Sequence, residues 1–195
     1  MGLTGGIASG KSTVAAMLRE LGFPVLEADL VSHKLMEPGQ AAHDEILREF
    51  GSELADTEGR IDRGKLAAIV FADPAKLAKL NGILHPRVEE AMFRQFAEWE
   101  KEDPRDAAFV AAALLVEAGF LKNLDGLVVA FCRPEQQLER LLARGMTEVE
   151  ALRRIAAQMP VEEKLKYATE KVDCSGTLEE TREQVGSLAK RLRKA

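Results

Sequence analysis

Apolar and polar positions follow different rhythms in successive stretches of the chain. Near the start, Val14, Ala15, Met17, Leu18 and Leu21 recur at the spacing of one helical face, and Gly22 closes the run. Residues 23–26 read as a short strand ending at Glu27-Ala28-Asp29, and the few residues before Gly5 as a brief first strand. Strand, helix and strand in so short a span make a βαβ unit, which predicts a parallel sheet.

From residue 30 to 102 the pattern turns helical, with helices expected over 30–36, 41–50, 63–71, 74–84 and 86–101 and a turn at Asp56-Thr57-Glu58-Gly59. Proline suits the first position of a helix, where its missing N–H has no intrahelical partner, so Pro86 is expected to open a new helix after His85. The sheet resumes over 108–116, a nearly unbroken apolar run, and again over 127–131. Helices are expected over 134–144, from Thr147 to 158 with Glu150 at capping-box spacing, and over 161–169 after Pro160. A weak last strand around Val172 and an amphipathic helix over 178–192 complete the chain.

Bulk properties narrow the class. The 195 residues are 46% apolar and 30% charged, a globular composition long enough for a substantial core. A net charge of −5 argues against nonspecific nucleic-acid binding. No apolar run reaches the length of a membrane span and no signal-peptide pattern precedes the first helix. Cys132 and Cys174 are isolated, which suits a reduced, cytoplasmic setting. His33, His43 and His85 match no zinc spacing.

The chemistry is concentrated in Gly5-Gly6-Ile7-Ala8-Ser9-Gly10-Lys11-Ser12-Thr13, which satisfies G-x-x-x-x-G-K-[ST]. Glycines let backbone N–H groups approach phosphate oxygens, and the helix that follows adds unpaired amides and partial positive charge. Lys11 can reach the β- and γ-phosphates of ATP, and the Ser12 hydroxyl can ligate Mg²⁺.

Asp29 stands at the carboxyl end of a predicted strand, the edge at which open α/β sheets bind ligands. It could take a proton from an attacking hydroxyl, help hold Mg²⁺, or simply cap the next helix. Glu27 is placed similarly. Glu117, just past the third strand, fits a site role or a helix-start role equally. Of the arginines after residue 133, Arg140 and Arg144 lie one turn apart on one face and are the candidates for a lid over ATP. A helical block between strands suggests a lobe that closes over a second substrate.

Taken in order, several segments resemble the dephospho-CoA kinase family. They are Leu3-Thr4 running into the phosphate loop, Glu27-Ala28-Asp29 with Glu37-Pro38-Gly39, Gly59-Arg60-Ile61-Asp62-Arg63, and Leu84-His85-Pro86. Leu114-Leu115-Val116-Glu117, Gln137 with Arg140 and Arg144, and Arg154-Ile155 with Gln158 continue the likeness. The resemblance implies an α/β fold of the P-loop NTPase type, three αβα layers with an inserted helical substrate lobe and a helical lid. It implies a nucleotide core of 1–29, 104–132 and 170–195, a CoA-substrate lobe of 30–103 and a lid of 133–169. The implied activity is ATP-dependent phosphorylation of the ribose 3′-hydroxyl of dephospho-CoA by a monomer or small homo-oligomer.

By the same resemblance Asp29 is the base, and His33, His85, Arg87, Leu115 and Glu117 meet the acceptor. Residues 6–13 (Gly6, Ile7, Ala8, Ser9, Gly10, Lys11, Ser12, Thr13) meet ATP. The family usually carries aspartate at Glu27, arginine at His33, proline at Ala113 and aspartate at Thr169. The His33 difference is expected to weaken acceptor binding, and Thr169 to act on the lid or adenine side. Another nucleoside or nucleotide kinase, and a noncatalytic ATP-binding regulator, are the competing functions.

Overall fold

The computed structural model describes residues 1–103 and 106–193. Pro104 and Arg105, at the start of the expected core segment 104–132, and Lys194 and Ala195, at the end of 170–195, lie outside the described residues. The chain divides into two compact units, Met1–Leu26 with Trp99–Ala195, and Glu27–Glu98.

The first unit is built on strands β1 (Gly2–Thr4), β2 (Val25–Glu27), β3 (Phe109–Ala111), β4 (Leu127–Phe131) and β5 (Glu170–Asp173), in the order β2-β3-β1-β4-β5. β1 pairs parallel with both β3 and β4, and β4 with β5. Alternation along the strands decides which residues face which helices. Leu3, Phe109, Ala111, Val128, Ala130 and Val172 turn to one face, where α1 (Lys11–Glu20) and α9 (Leu178–Leu192) cover them. Phe23 meets Phe109 edge to face at 5.9 Å between ring centres. Helices α6 (Pro134–Ala143), α7 (Glu148–Ala156) and α8 (Val161–Leu165) complete this unit.

Helix starts follow side-chain chemistry. Thr177 and Glu180 form a full capping box at the start of α9. At α7 only half of the expected box forms: Thr147 Oγ1 accepts from Glu150 N, while the Glu150 carboxylate turns to Arg154.

The second unit packs α2 (Ala28–Leu35), α3 (His43–Phe50), α4 (Arg63–Phe71) and most of α5 (Pro74–Glu102) around Ile46, Leu54, Leu66, Val70 and Leu84. Asp62 caps α4, accepting from the Gly64 and Lys65 amides. The turn at 56–59 is held by Asp56 Oδ1, which accepts from Glu58 N and Arg60 N at 2.9 Å each.

Three expectations fail. Pro86 does not open a helix: α5 is continuous, with Pro86 inside it and His85 in mid-helix. Pro86 leaves the Gly82 carbonyl without its helical donor, and one residue on, Arg87 Nη1 donates to Ile83 O at 2.6 Å. The third strand stops at Ala111, because residues 114–120 fold back into turns through Ala118 N to Leu114 O and Phe120 N to Leu115 O. The helix expected over 161–169 ends at Leu165, after which the chain must extend to enter β5.

A candidate phosphate-binding site

The phosphate loop leaves β1 at Thr4 and enters α1 at Lys11. Two of its glycines are obligatory. A Cβ on Gly5 would lie 2.3 Å from Ala130 O, and one on Gly10 would lie 2.7 Å from both Cβ and Sγ of Cys174. Gly10 also has φ +102°, and Ala8 stands in the left-handed region at φ 58°. Such reversals bring successive amides around to one side of a concavity, the geometry that holds anions. Gly10 is the N-cap of α1 and has no side chain to offer, so the first-turn amides are left for a ligand. Lys11 is half-buried with no acidic partner among the described residues, and Ser12 is exposed. Ser9 Oγ is buried without a hydrogen-bond partner among the described residues, an orphan inside the loop.

The outer side of the loop is fastened by distant residues. Gln158 Oε1 accepts from Ile7 N at 2.7 Å, and Gln137 Nε2 donates to Ile7 O at 2.8 Å. Arg140 donates from Nη1 to Ala8 O at 3.1 Å and from Nη2 to Cys174 O at 2.7 Å. Its cation is thus seated on the loop backbone, whereas Arg144 is the exposed C-cap residue of α6. Cys132 and Cys174, one step beyond β4 and β5, lie beneath the loop; burial raises both thiols, Cys174 to about 11.

Glu117 and Leu115 occupy the turns after β3. Leu115 is 2% exposed and packs over Gly2 of β1, so its side chain is core rather than ligand surface. Glu117 Oε1 is 2.9 Å from Lys164 Nζ and accepts from Met159 N at 3.1 Å. Thr169 lies at the amino end of β5, opposite the edge that carries the loop. Its hydroxyl accepts from Leu127 N at 2.9 Å and donates to Leu127 O at 3.1 Å, which corrects the expected lid or adenine-side role.

In the second unit, Asp29 is exposed in the first turn of α2, two residues past the end of β2. The N-cap position belongs to Glu27, so Asp29 is not the helix cap. His33 opens on a cleft of about 740 Å³ with Arg60 and Arg63. Burial first, then the Arg63 charge, lowers the His33 pKa against the opposing pull of Asp29. Arg63 therefore brings a cation to the cleft beside His33. His85 is half-buried, and desolvation lowers its pKa. Arg87 is engaged within the unit, pairing with Glu45 as well as Ile83 O.

Sequence inspection missed Lys164, Gln137 as a loop anchor, and Arg63 as a cleft cation. Lys164 sits in a Glu-Glu-Lys run that reads as a solvated face, so periodicity carried no sign that it is wholly buried.

A glycine-bound turn with Lys-Ser at the start of a helix, on the central strand of a parallel sheet, defines a P-loop nucleotide-binding enzyme. The particular group follows from comparison: the chain belongs to the dephospho-CoA kinase family, whose model matches residues 1–180. A dephospho-CoA kinase of Aquifex aeolicus is 46% identical over 186 residues, 95% of this chain and 93% of the relative. A crystal structure from Thermus thermophilus superimposes with TM-score 0.85 at 37% identity, covering 97% of this chain and 95% of its own. A dephospho-CoA kinase from Campylobacter jejuni gives TM-score 0.74 at 28% identity, covering 99% and 96%. The chain is accordingly an ATP-dependent kinase of the α/β P-loop type.

Proposed function

We propose that the chain moves the γ-phosphoryl group of ATP onto the ribose 3′-hydroxyl of dephospho-CoA, giving ADP and CoA. The observation that carries this reading is the loop itself, with Gly10 at φ +102° handing over to Lys11 and Ser12 at a helix start free of any side-chain cap. Loop amides and Lys11 bind and orient the phosphates, and Arg140, seated on Ala8 O, adds positive charge at the loop. Residues 133–169, with Arg144, act as a lid, and residues 30–103 hold the acceptor. His33, His85 and Arg87 are assigned to that lobe's substrate surface.

Among the described residues no group of three His, Cys, Asp or Glu side chains could cage a metal. That suits Mg²⁺, which in such enzymes takes few protein ligands and relies on phosphate oxygens and water. The Ser12 hydroxyl, exposed in the first turn of α1, and the orphaned Ser9 Oγ deeper in the loop fit a site for a metal–triphosphate. When bound, the ion neutralises phosphate charge.

Asp29 orients the 3′-hydroxyl and takes up its proton as the O–P bond forms. Its support is its place just beyond the carboxyl end of β2. The buried free thiols and the lack, among the described residues, of a helix long and apolar enough to cross a membrane are in keeping with a cytoplasmic enzyme. Incubation with Mg-ATP and dephospho-CoA should yield CoA by mass spectrometry, with little ADP from a panel of nucleosides. Asp29→Asn should bind ATP normally and lose about 10²–10⁴-fold in turnover. Equal use of other acceptors would refute the substrate, and near-wild-type turnover would remove Asp29 from the chemistry.

A further inference from the structure

Lys164 is a long, charged side chain with 0% exposure. Burying an ammonium is costly unless its protons are taken up, and an apolar residue of similar shape would avoid that cost. Its two acceptors are specific. Nζ donates to Ala113 O at 2.6 Å and lies 2.9 Å from Glu117 Oε1. Both are shared with groups that lead to the phosphate loop. Ala113 O also accepts from Thr4 Oγ1 at 3.1 Å, and Thr4 is the residue before Gly5. Glu117 Oε1 also accepts from Met159 N at 3.1 Å, and the residue before Met159 is Gln158, which holds Ile7 N at 2.7 Å.

The bonds therefore close a circuit from Thr4, through Ala113, Lys164, Glu117 and Gln158, back to Ile7. On the other side of Ile7 its carbonyl is held by Gln137. A trans peptide points its C=O and N–H in opposite directions, so fastening Ile7 O on Gln137 aims the Ala8 N–H away from that side chain. Two successive peptide planes of the loop are thus fixed from outside.

From this circuit we infer that Lys164 is a positioning residue for the nucleotide site. Wholly buried, it acts through Glu117 and Met159 rather than by contact with the nucleotide. By fixing the acceptor for Met159 N, it sets the depth at which Gln158 grips the Ile7 amide and so the shape of the cradle. Glu117, in the same view, acts through Lys164 and Met159 rather than on the acceptor. The inference rests on ATP being the ligand of the loop, as proposed above, but not on the identity of the acceptor.

The test is the Kd of ATP measured calorimetrically on the full chain, for Lys164→Met, Gln158→Ala and the double variant. Methionine keeps an unbranched stem and removes the charge. Each single change should weaken ATP binding about tenfold, and the double variant should be no weaker than the weaker single one. The KM for dephospho-CoA should move less than about twofold, which a general loss of structure would not allow. Independent, multiplying effects of the two substitutions, or an unchanged ATP Kd in Lys164→Met, would overturn the inference. Should Lys164→Met not fold, Glu117→Gln takes its place. Glu117→Gln should show the same ATP-selective weakening, again without adding to Gln158→Ala, and wild-type affinity there would equally overturn it. Failure of the wild-type chain to make CoA while ATP binding responds as stated would count against the acceptor alone.

Discussion

Replacing Gly10 with alanine tests how the loop is built. Gly10 has φ +102° and ψ 1°, where a Cβ crowds the neighbouring carbonyl at a cost of about 1–2 kcal/mol. The added Cβ would also lie 2.7 Å from Cβ and Sγ of Cys174. Comfortable carbon contacts begin near ~3.5 Å, and relieving such an overlap in a packed interior costs about 1–3 kcal/mol. The two effects together predict a loss of about 2–5 kcal/mol, a large part of the ~5–15 kcal/mol that holds a typical domain folded. For a chain of this size that is a fall in Tm of about 4–20 °C by calorimetry. Placing Gly10→Ala in a Cys174→Gly background separates the terms, since glycine removes both clashing atoms. A double-mutant cycle should return a coupling of about 1–3 kcal/mol and leave the backbone strain unrelieved. A Tm within about 2 °C of wild type in the single variant would refute the reasoning.

Other outcomes follow from named groups. By proton NMR, His43 should titrate above its usual 6.5, held protonated chiefly by Asp44 and also by Gly59 O, whereas half-buried, desolvated His85 should titrate below it. The signs oppose. His43 contributes stability that is complete below 6.5 and lost as pH rises through its folded pKa, whereas His85 disfavours the folded state as pH falls from 6.5 through its own. If the two titrate together, the assigned environments are wrong. Cys174, pushed up to about 11, should resist thiol reagents at pH 8 until urea unfolds the chain, and prompt labelling of the native protein would contradict its burial. Thr169→Val keeps shape but loses both bonds to Leu127, which should cost about 1–3 kcal/mol in urea unfolding while leaving the Kd of ATP unchanged. A weakened Kd would return Thr169 to the nucleotide side.

Much of this molecule can be read from local pattern because local chemistry decides it. The helices over 63–71 and 178–192 appear with the bounds their periodicity predicts, each started by a side-chain cap, Asp62 and Thr177. The phosphate loop is equally local as a motif, although Gly5 and Gly10 answer to steric demands set by Ala130 O and Cys174 much later in the chain. Pro86 misled because a start signal and a tolerated interior proline look alike in sequence; only the fold shows α5 running through it, with Arg87 bonded to Ile83 O beside the Gly82 carbonyl that Pro86 leaves without a helical donor. The apolar run 108–116 concealed a turn because buried turns and buried strands share a composition; what stops the strand is the fold-back of residues 114–120, and the Ala113 carbonyl it frees is taken up by Thr4 and Lys164. Lys164 itself could not be found by pattern, since a charged residue in a charged run gives no hint of a partner 47 positions away.

That the loop is clasped by Gln137, Arg140 and Gln158 has a consequence for how the chain matures. Its motif is made before the side chains that shape it, which arrive some 130–151 positions later. β1 likewise waits for β3 and β4 before it has neighbours on either side. A nascent polypeptide that has not yet delivered the segment around Gln158 carries the signature of a nucleotide pocket without its shape, so competence to grip ATP comes late in synthesis.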